Sequence, residues 1–556
     1  MQAILALALA LGAAAAPAPA PAWKLRAGMQ VLDGPGSGRY TQIRVGPDGL
    51  ATLVWNGEPG LRLARCTDRR CSTITPPQTV LNSSGHPVTN PRFIRMELAP
   101  NGNPVLAYAT ADDTQATIMH CHDLHCLAAE TSVLATAHKV RHCDLALHPV
   151  VTGQAIVTFG LSDPPLPTSQ ECKTCAGFRD ASCRVANYTA FSECNCGGGG
   201  CDCSSCCAGQ AKSDCCSVAP STSGCQPVAT HNGSTLLVFH MTTPANWKRA
   251  TVATATAAFG VNTTSGLPTG GLEMPSVANR EPQHWAPDLA YWDVAQRRLV
   301  LVQDVLGIVG APRHLTVAQA SREQQQSSPG CWPRLAPVLG GGLLVTFFDL
   351  ERGALLSTTC SVGSAASRED SGLVCADPQE TDSSVGHHDV SDFGAGAFPS
   401  FAGGLSSPAR KAGGSQAQVA FNSLVYFSQQ GAPKAECEGF APAPGCTGYL
   451  KVAEFAASGD STAVHTLATG QAGFGRDASI AFQVSTPSAT MITQHACADH
   501  ICVGWSESES CLCWVVQQDQ GGSGTAGTML VSFLDLQGHD GLQTMRARLA
   551  IFDLSG

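Results

Sequence analysis

The residues of this chain most able to do chemistry are its cysteines. There are 26 among 556 residues, and twelve of them lie between Cys172 and Cys225. That segment holds Cys194-Asn-Cys196, Cys201-Asp-Cys203, Cys206-Cys207 and Cys215-Cys216 in a Gly- and Ser-rich background. With few apolar residues it cannot fold on a core of its own and needs cross-links, so it reads as a disulfide knot. The rival is a thiolate cluster for zinc or copper(I), which would require reduced thiols. Three further stretches repeat Cys-x-Asp-x-x-Cys: Cys66 to Cys71, Cys121 to Cys126 and Cys497 to Cys502. A pair five residues apart across a tight turn can bring its Cβ atoms within bonding range, while the Asp takes the turn amides. Cys360 with Cys375, and Cys437 with Cys446, are looser versions on longer loops, which makes ten disulfide candidates outside the knot.

Histidine offers less. His387-His388-Asp389 sits in a polar loop of Ser, Asp and Gly, and His120, His122 and His125 do not converge on one strand face. Neither reads as a metal site. No P-loop, nucleotide fingerprint, H-E-x-x-H or nucleophile elbow occurs, so no cofactor is expected.

Composition narrows the setting. A formal net charge of −10 argues against a nucleic-acid partner, which would want a basic face. Ile4 to Ala16 is an apolar run followed by an Ala-Pro alternation to Ala22; it is short for a membrane span and reads as a signal peptide over residues 1–22. No later stretch reaches the length of a membrane span. Asn82, Asn187, Asn232 and Asn262 each open an Asn-x-Ser/Thr sequon and are candidates for glycosylation. The expectation is a secreted, extracellular chain in an oxidising compartment.

These groups are carried on a repeat. Short apolar runs return eight times: Ala51–Trp55, Pro104–Tyr108, Ala155–Phe159, Thr235–Phe239, Leu299–Val302, Leu343–Phe347, Gln418–Phe421 and Met529–Phe533. A shorter extended beat precedes each, among them Thr41–Val45, Ile94–Leu98, Asp144–Leu147, Pro227–Ala229, Asp288–Tyr291, Arg334–Pro337 and Ser479–Phe482. Turns such as Gly46-Pro-Asp-Gly49 and Pro100-Asn-Gly102 join beats one and two, as tight hairpins demand. Third beats follow (Leu61–Cys66, Ala116–Cys121, Ala250–Thr254, Leu315–Gln319), then a weaker fourth.

Four antiparallel strands per repeat make the blade of a β-propeller, and a unit that cannot bury its faces alone must stack on its neighbours. With long insertions at 161–224, 261–283, 361–395 and 485–527 set aside, about 46 residues remain per unit, within the blade range. The expected architecture is all-β: one propeller over residues 23–556 with eight blades, or seven if one unit is misread. The Cys-rich insertion spans 161–224 and a second Cys-containing one 485–527. Met29–Asp33 resembles a fourth strand that precedes any first, so it is expected to complete the last blade and remove its open edge.

Two resemblances follow from particular phrases. Gly46-Pro-Asp-Gly-Leu-Ala-Thr-Leu-Val-Trp55, then Leu61-Arg-Leu-Ala-Arg-Cys-Thr-Asp-Arg-Arg-Cys71, resembles a repeat of large secreted, mostly uncharacterised proteins. There a G-x-D-G hairpin leads to a C-x-D-x-x-C loop; the resemblance implies a sialidase-like propeller and carries no activity. Neither an Asp-box nor an arginine triad is legible. Trp285-Ala-Pro-Asp288 resembles a motif of five-bladed glycoside hydrolases of the arabinanase/xylosidase type, which implies that Asp288 tunes a general acid. Such chemistry needs two flanking carboxylates, and the motif supplies one. The function expected is therefore a disulfide-stabilised module that binds an extracellular glycan or protein, the alternative being a glycoside hydrolase using Asp288.

Overall fold

The computed structural model describes residues 22–25, 29–137, 139–148, 154–162, 170–172, 225–227, 233–243, 246–255, 260–261, 268–270, 272–281, 284–308, 310–320, 329–338, 342–349, 354–362, 372–383, 395–403, 417–426, 446–455, 461–471, 476–484, 489–493, 504–505, 511–516, 527–539 and 542–555. Among them are seven antiparallel sheets of four or five strands. The first contains Arg39–Val45, Ala51–Asn56, Leu61–Arg65 and Gln78–Thr79; the second Arg92–Leu98, Pro104–Ala109, Gln115–Cys121 and Ala129–Thr136. The third contains Lys139–Leu147, Ala155–Ser162, Ser234–Thr243 and Asn246–Ala255; the fourth Leu272–Glu281, His284–Asp293, Arg298–Gln303 and Arg313–Gln319. In the fifth, Pro329–Val338, Gly342–Asp349 and Ala354–Val362 are followed by Leu373–Cys375 and Gln379–Ser383, both paired to the third strand. The sixth runs Ala395–Gly403, Ala417–Tyr426, Cys446–Phe455 and Ser461–Gln471.

The seventh sheet joins the two ends of the described chain. Arg476–Val484, Gly527–His539 and Leu542–Ser555 are completed by Ala22–Leu25 and Gln30–Val31, with Gln30 opposite Leu549 and Val31 opposite Arg548. Among the described residues no helix is long and apolar enough to cross a membrane.

Each sheet packs face to face on the next. One apolar cluster joins Val54 and Leu63 of the first sheet to Met96 and Leu106 of the second; another joins Ala107 and Ile118 to Val157 and Phe239. The series continues from third to fourth through Val238 and Leu289, and from fourth to fifth through Leu301 and Val345. Leu344 and Phe455 join fifth to sixth, and Val452 and Val531 join sixth to seventh. Leu530 and Leu549 of the seventh sheet then share a cluster with Ile43 and Leu53 of the first. Second strands therefore have both faces covered: Pro104–Ala109, Ala155–Ser162 and Gly342–Asp349 are buried at every position. A strand covered on both sides reads as a continuous apolar run, which is why these beats stand out in sequence.

Two expected units prove to be differently placed. Thr235–Phe239 and Ala250–Thr254 are the third and fourth strands of the third sheet, laid beside Ala155–Ser162 after the Cys-rich insertion. Their alternation matches a second strand equally well, so sequence counted an extra unit. Cys225–Pro227 pairs instead with Gln170–Cys172, placing the Cys172 and Cys225 backbones opposite one another at the stem of the insertion. Leu161 and Ser162 remain in the ladder, so the insertion starts two residues later than expected. In the fourth sheet Asp288–Tyr291 belongs to the second strand, and the first, Leu272–Glu281, lies inside the stretch taken as the 261–283 insertion. The 485–527 insertion leaves after Val484, which pairs with Gly527.

Side chains on the first strands latch neighbouring sheets. The Ile43 amide donates to Ser479 Oγ at 3.1 Å, the Val277 amide to Asp144 Oδ2 at 2.8 Å, and the Leu335 amide to Ser276 Oγ at 3.2 Å. Ser479, Asp144 and Ser276 occupy one register position in their sheets, opposite Ser532, Thr158 and Ala290, and each serves the amide one step further along the next sheet. Replacing Ser479 by Ala would leave the Ile43 amide buried and unpaired, at a cost of about 1–3 kcal/mol. Urea unfolding of Ser479→Ala should show that loss; an unchanged midpoint would mean that the contact contributes nothing.

Candidate functional site

The same register position organises the chemistry. It is occupied by Gln42, Arg95, Asp144, Ser276, Arg334, Ser400 and Ser479, and in every sheet the ladder slips just before it. The slip is a β-bulge, and two residues upstream the backbone turns left-handed at a side chain larger than glycine. Tyr40 has φ 56°, Phe93 54°, His142 43°, Met274 56° and Trp332 48°. Five non-glycine residues in this region, at equivalent places, form a repeated device that re-aims the strand.

Its first effect is to line up rings. Tyr40 and Phe93, from the first and second sheets, have centroids 5.4 Å apart; Phe93 and His142, from the second and third, are 4.5 Å apart. Each ring is half-buried and follows an arginine: Arg39-Tyr40, Arg92-Phe93 and Arg141-His142. Arg39 and Arg92 are exposed, and Arg92 pairs with Asp113 at 2.6 Å. Burial raises the Asp113 carboxyl, while Arg92 and Arg141 both pull it down. Three rings beside three cations thus share one end of three consecutive first strands.

Deeper along these strands lies a polar cluster. Arg44 pairs with Glu97 at 2.9 Å, and Arg95 with Asp144 at 3.3 Å. Arg334, from the fifth sheet, is drawn down to about 9 by desolvation, then by the repulsion of Arg95, with Asp144 opposing. Glu97 is raised by desolvation against the pull of Arg44, although 30 % of its side chain meets solvent. An arginine grouping that the sequence did not disclose is thus assembled from Arg44, Arg95 and Arg334. The signal was available only by aligning first strands on their bulges.

Asp288 has another setting. Its side chain is fully buried; Arg280 Nε donates to Oδ2, and the Asp304 amide donates to Oδ1 at 2.9 Å. Asp304, at φ 48°, accepts the amides of Ile308 and Gly310 at 3.0 Å each. Asp288 thereby fastens the turn after the third strand to the second. Burial pushes its carboxyl up to about 6, with Arg280 pulling back.

The cysteine turns are formed where expected. Disulfides join Cys66 to Cys71, Cys121 to Cys126 and Cys360 to Cys375. Asp68 accepts the amides of Arg70 at 2.8 Å and Ser72 at 3.3 Å; Asp123 accepts those of His125 at 2.8 Å and Ala128 at 3.1 Å. Against modest desolvation these bonds hold both carboxyls below the usual range. Cys143 and Cys331 are buried. Cys437, Cys497, Cys502, His387, His388 and Asp389 lie outside the described residues, as do the side chains of Cys172, Cys225 and Cys446. Among the described residues no group of three or more His, Cys, Asp or Glu is placed to hold a metal ion.

The four sequons divide in the same way. The Asn82 side chain accepts the Ser84 and His86 amides at 3.0 Å each, and half of it is buried in its turn. Both bonds fall on the carbonyl oxygen Oδ1, and the nitrogen Nδ2, to which an N-glycan would be joined, takes no part in them. Asn187, Asn232 and Asn262 lie outside the described residues.

No family model matches the sequence, and no curated protein does. Among solved structures the chain is similar to a mutant α-L-arabinofuranosidase from Fusarium graminearum, at 9% identity and TM-score 0.36 over 83% of this chain and 92% of that one. It is also similar to the phage phi92 endosialidase, at 8% identity and TM-score 0.38 over 98% and 71%. Trypanosoma rangeli sialidase gives 9% identity and TM-score 0.29 over 93% and 60%. At these values the likeness is too slight to carry function to this chain.

The raised Asp288 carboxyl has a thermodynamic signature. A group held above its unfolded value favours folding most below about pH 4, and that contribution fades as pH rises through about 6. Asp288→Asn removes this dependence and leaves Arg280 buried without its partner, costing about 3 kcal/mol near neutrality. Unfolding free energies between pH 4 and 7 should fall more steeply for the wild type than for the variant. Parallel profiles would sink the assignment.

Proposed function

We propose that the seven sheets are the blades of a closed, sialidase-like β-propeller, secreted after loss of residues 1–22, and that the chain is a disulfide-stabilised glycan-binding module. The observation that carries this reading is the bulge repeated on consecutive first strands, which sets Arg39-Tyr40, Arg92-Phe93 and Arg141-His142 side by side. Ring faces offer apolar contact to the C–H side of a sugar, and guanidinium forks offer planar donors to its hydroxyls. Aromatic and arginine side chains are also the groups that dominate recognition surfaces generally. Three disulfides, two across turns and one across a strand pair, support an oxidising, extracellular setting.

The hydrolase alternative routes through Asp288, and its geometry disfavours that route. A carboxylate that is fully buried, with both oxygens bonded, touches no substrate in this arrangement. It acts through the turn that it holds.

The reading is tested by screening the purified chain, and Arg39→Gln and Arg141→Gln variants, on a glycan array and then by calorimetry with the best glycan. Each substitution should weaken binding about tenfold, matching the loss of one charge-assisted contact of roughly 1.5 kcal/mol. Undiminished binding in the double variant would reject the site, and an array with no signal would reject the glycan reading.

A further inference from the structure

A concavity lies between the fourth strands of the second and third sheets. Its volume is about 510 Å3, within the range of small-molecule sites. Bulges shape both walls: Ala129–Thr136 slips between Val133 and Ala135, and the ladder to Asn246–Ala255 slips between Met241 and Thr243. The apolar cluster between these sheets reaches Phe239 and Leu134 and then gives way to polar groups. Trp247 packs on that cluster, half-buried, its ring 6.2 Å from that of His120. Arg249, two residues on and therefore on the same strand face, is exposed, as is Asn246; Ser132 stands on the opposite wall. None of the residues lining the cleft is acidic.

We propose that this cleft is a carbohydrate subsite for a pyranose bearing a carboxylate, separate from the ring-and-arginine array on the first strands. Trp247 supplies a flat apolar face for the sugar ring, anchored from behind by the core. Arg249 supplies the planar donors that fit a carboxylate, uncompensated by acid within the cleft. Asn246 and Ser132 supply donors and acceptors for hydroxyls. At the first-strand array Asp112 and Asp113 stand near the arginines, so an acidic sugar is better suited to the cleft.

The probe is trigalacturonate, with galactotriose as its neutral counterpart, titrated onto the full chain by calorimetry. The wild type should bind trigalacturonate and hold galactotriose at least tenfold more weakly. Arg249→Gln should abolish that preference with an unchanged melting temperature; Trp247→Ala should lose both sugars, and Trp247→Phe should recover most of the affinity. Arg141→Gln should leave trigalacturonate binding untouched, which separates this subsite from the one proposed above. No heat at millimolar sugar, full binding by Arg249→Gln, or a loss confined to Arg141→Gln would each overturn the proposal.

Discussion

The structure depends on one constraint: no sheet here can bury its own faces. Second strands such as Pro104–Ala109, Ala155–Ser162 and Gly342–Asp349 are covered on both sides, so their free energy of burial belongs to the interfaces with two neighbours and to neither sheet alone. The polar side chains on the first strands make that sharing directional. A serine or aspartate on one sheet takes a backbone amide from the next, which fixes the stagger that apolar packing would leave adjustable. Where arginine replaces the acceptor, as at Arg95, an ion pair to Asp144 takes over the join.

The bulge couples this frame to the surface. A left-handed step at a bulky residue costs of the order of 1–3 kcal/mol and persists only where its surroundings enforce it. At His142 and Met274 the residue two positions downstream, Asp144 or Ser276, is a latch that ties the strand to the next sheet. The side chain forced outward at the strained step is aromatic at Tyr40 and Phe93 and becomes part of the ring array. Stability and recognition thus draw on the same few residues of each first strand, with packing held by the apolar positions between them.

This arrangement explains which parts the sequence disclosed. Second strands were legible because burial on two faces writes an unbroken apolar run. The short cysteine turns were legible because five-residue closure and an Asp cap are local. First strands were legible only in their later halves, as at Thr41–Val45 and Ile94–Leu98, because the bulge breaks the alternation before that point. Asp288-Leu-Ala290 matches the pattern of Asp144-Leu-Ala146, Arg334-Leu-Ala336 and Ser479-Ile-Ala481, yet the true counterpart is Ser276-Val-Ala278, one strand earlier. A second strand lying where a first was expected hid the arginine cluster too, since its members align only once the frame is right. At the third sheet residues 163–233 separate partners that pair directly, and nothing local marks Ser234–Thr243 as the continuation of Ala155–Ser162.

The pairing of Gln30–Val31 with Leu542–Ser555 has a bearing on biosynthesis. The early segment leaves the ribosome long before its partner exists, and at ordinary elongation rates the wait is on the order of a minute. Until that partner is made, Ile43 and Leu53 lack the seventh-sheet residues Leu530 and Leu549 that cover them in the folded chain. Closure of that sheet therefore waits on the hairpin of Gly527–His539 and Leu542–Ser555, some five hundred residues after Gln30–Val31.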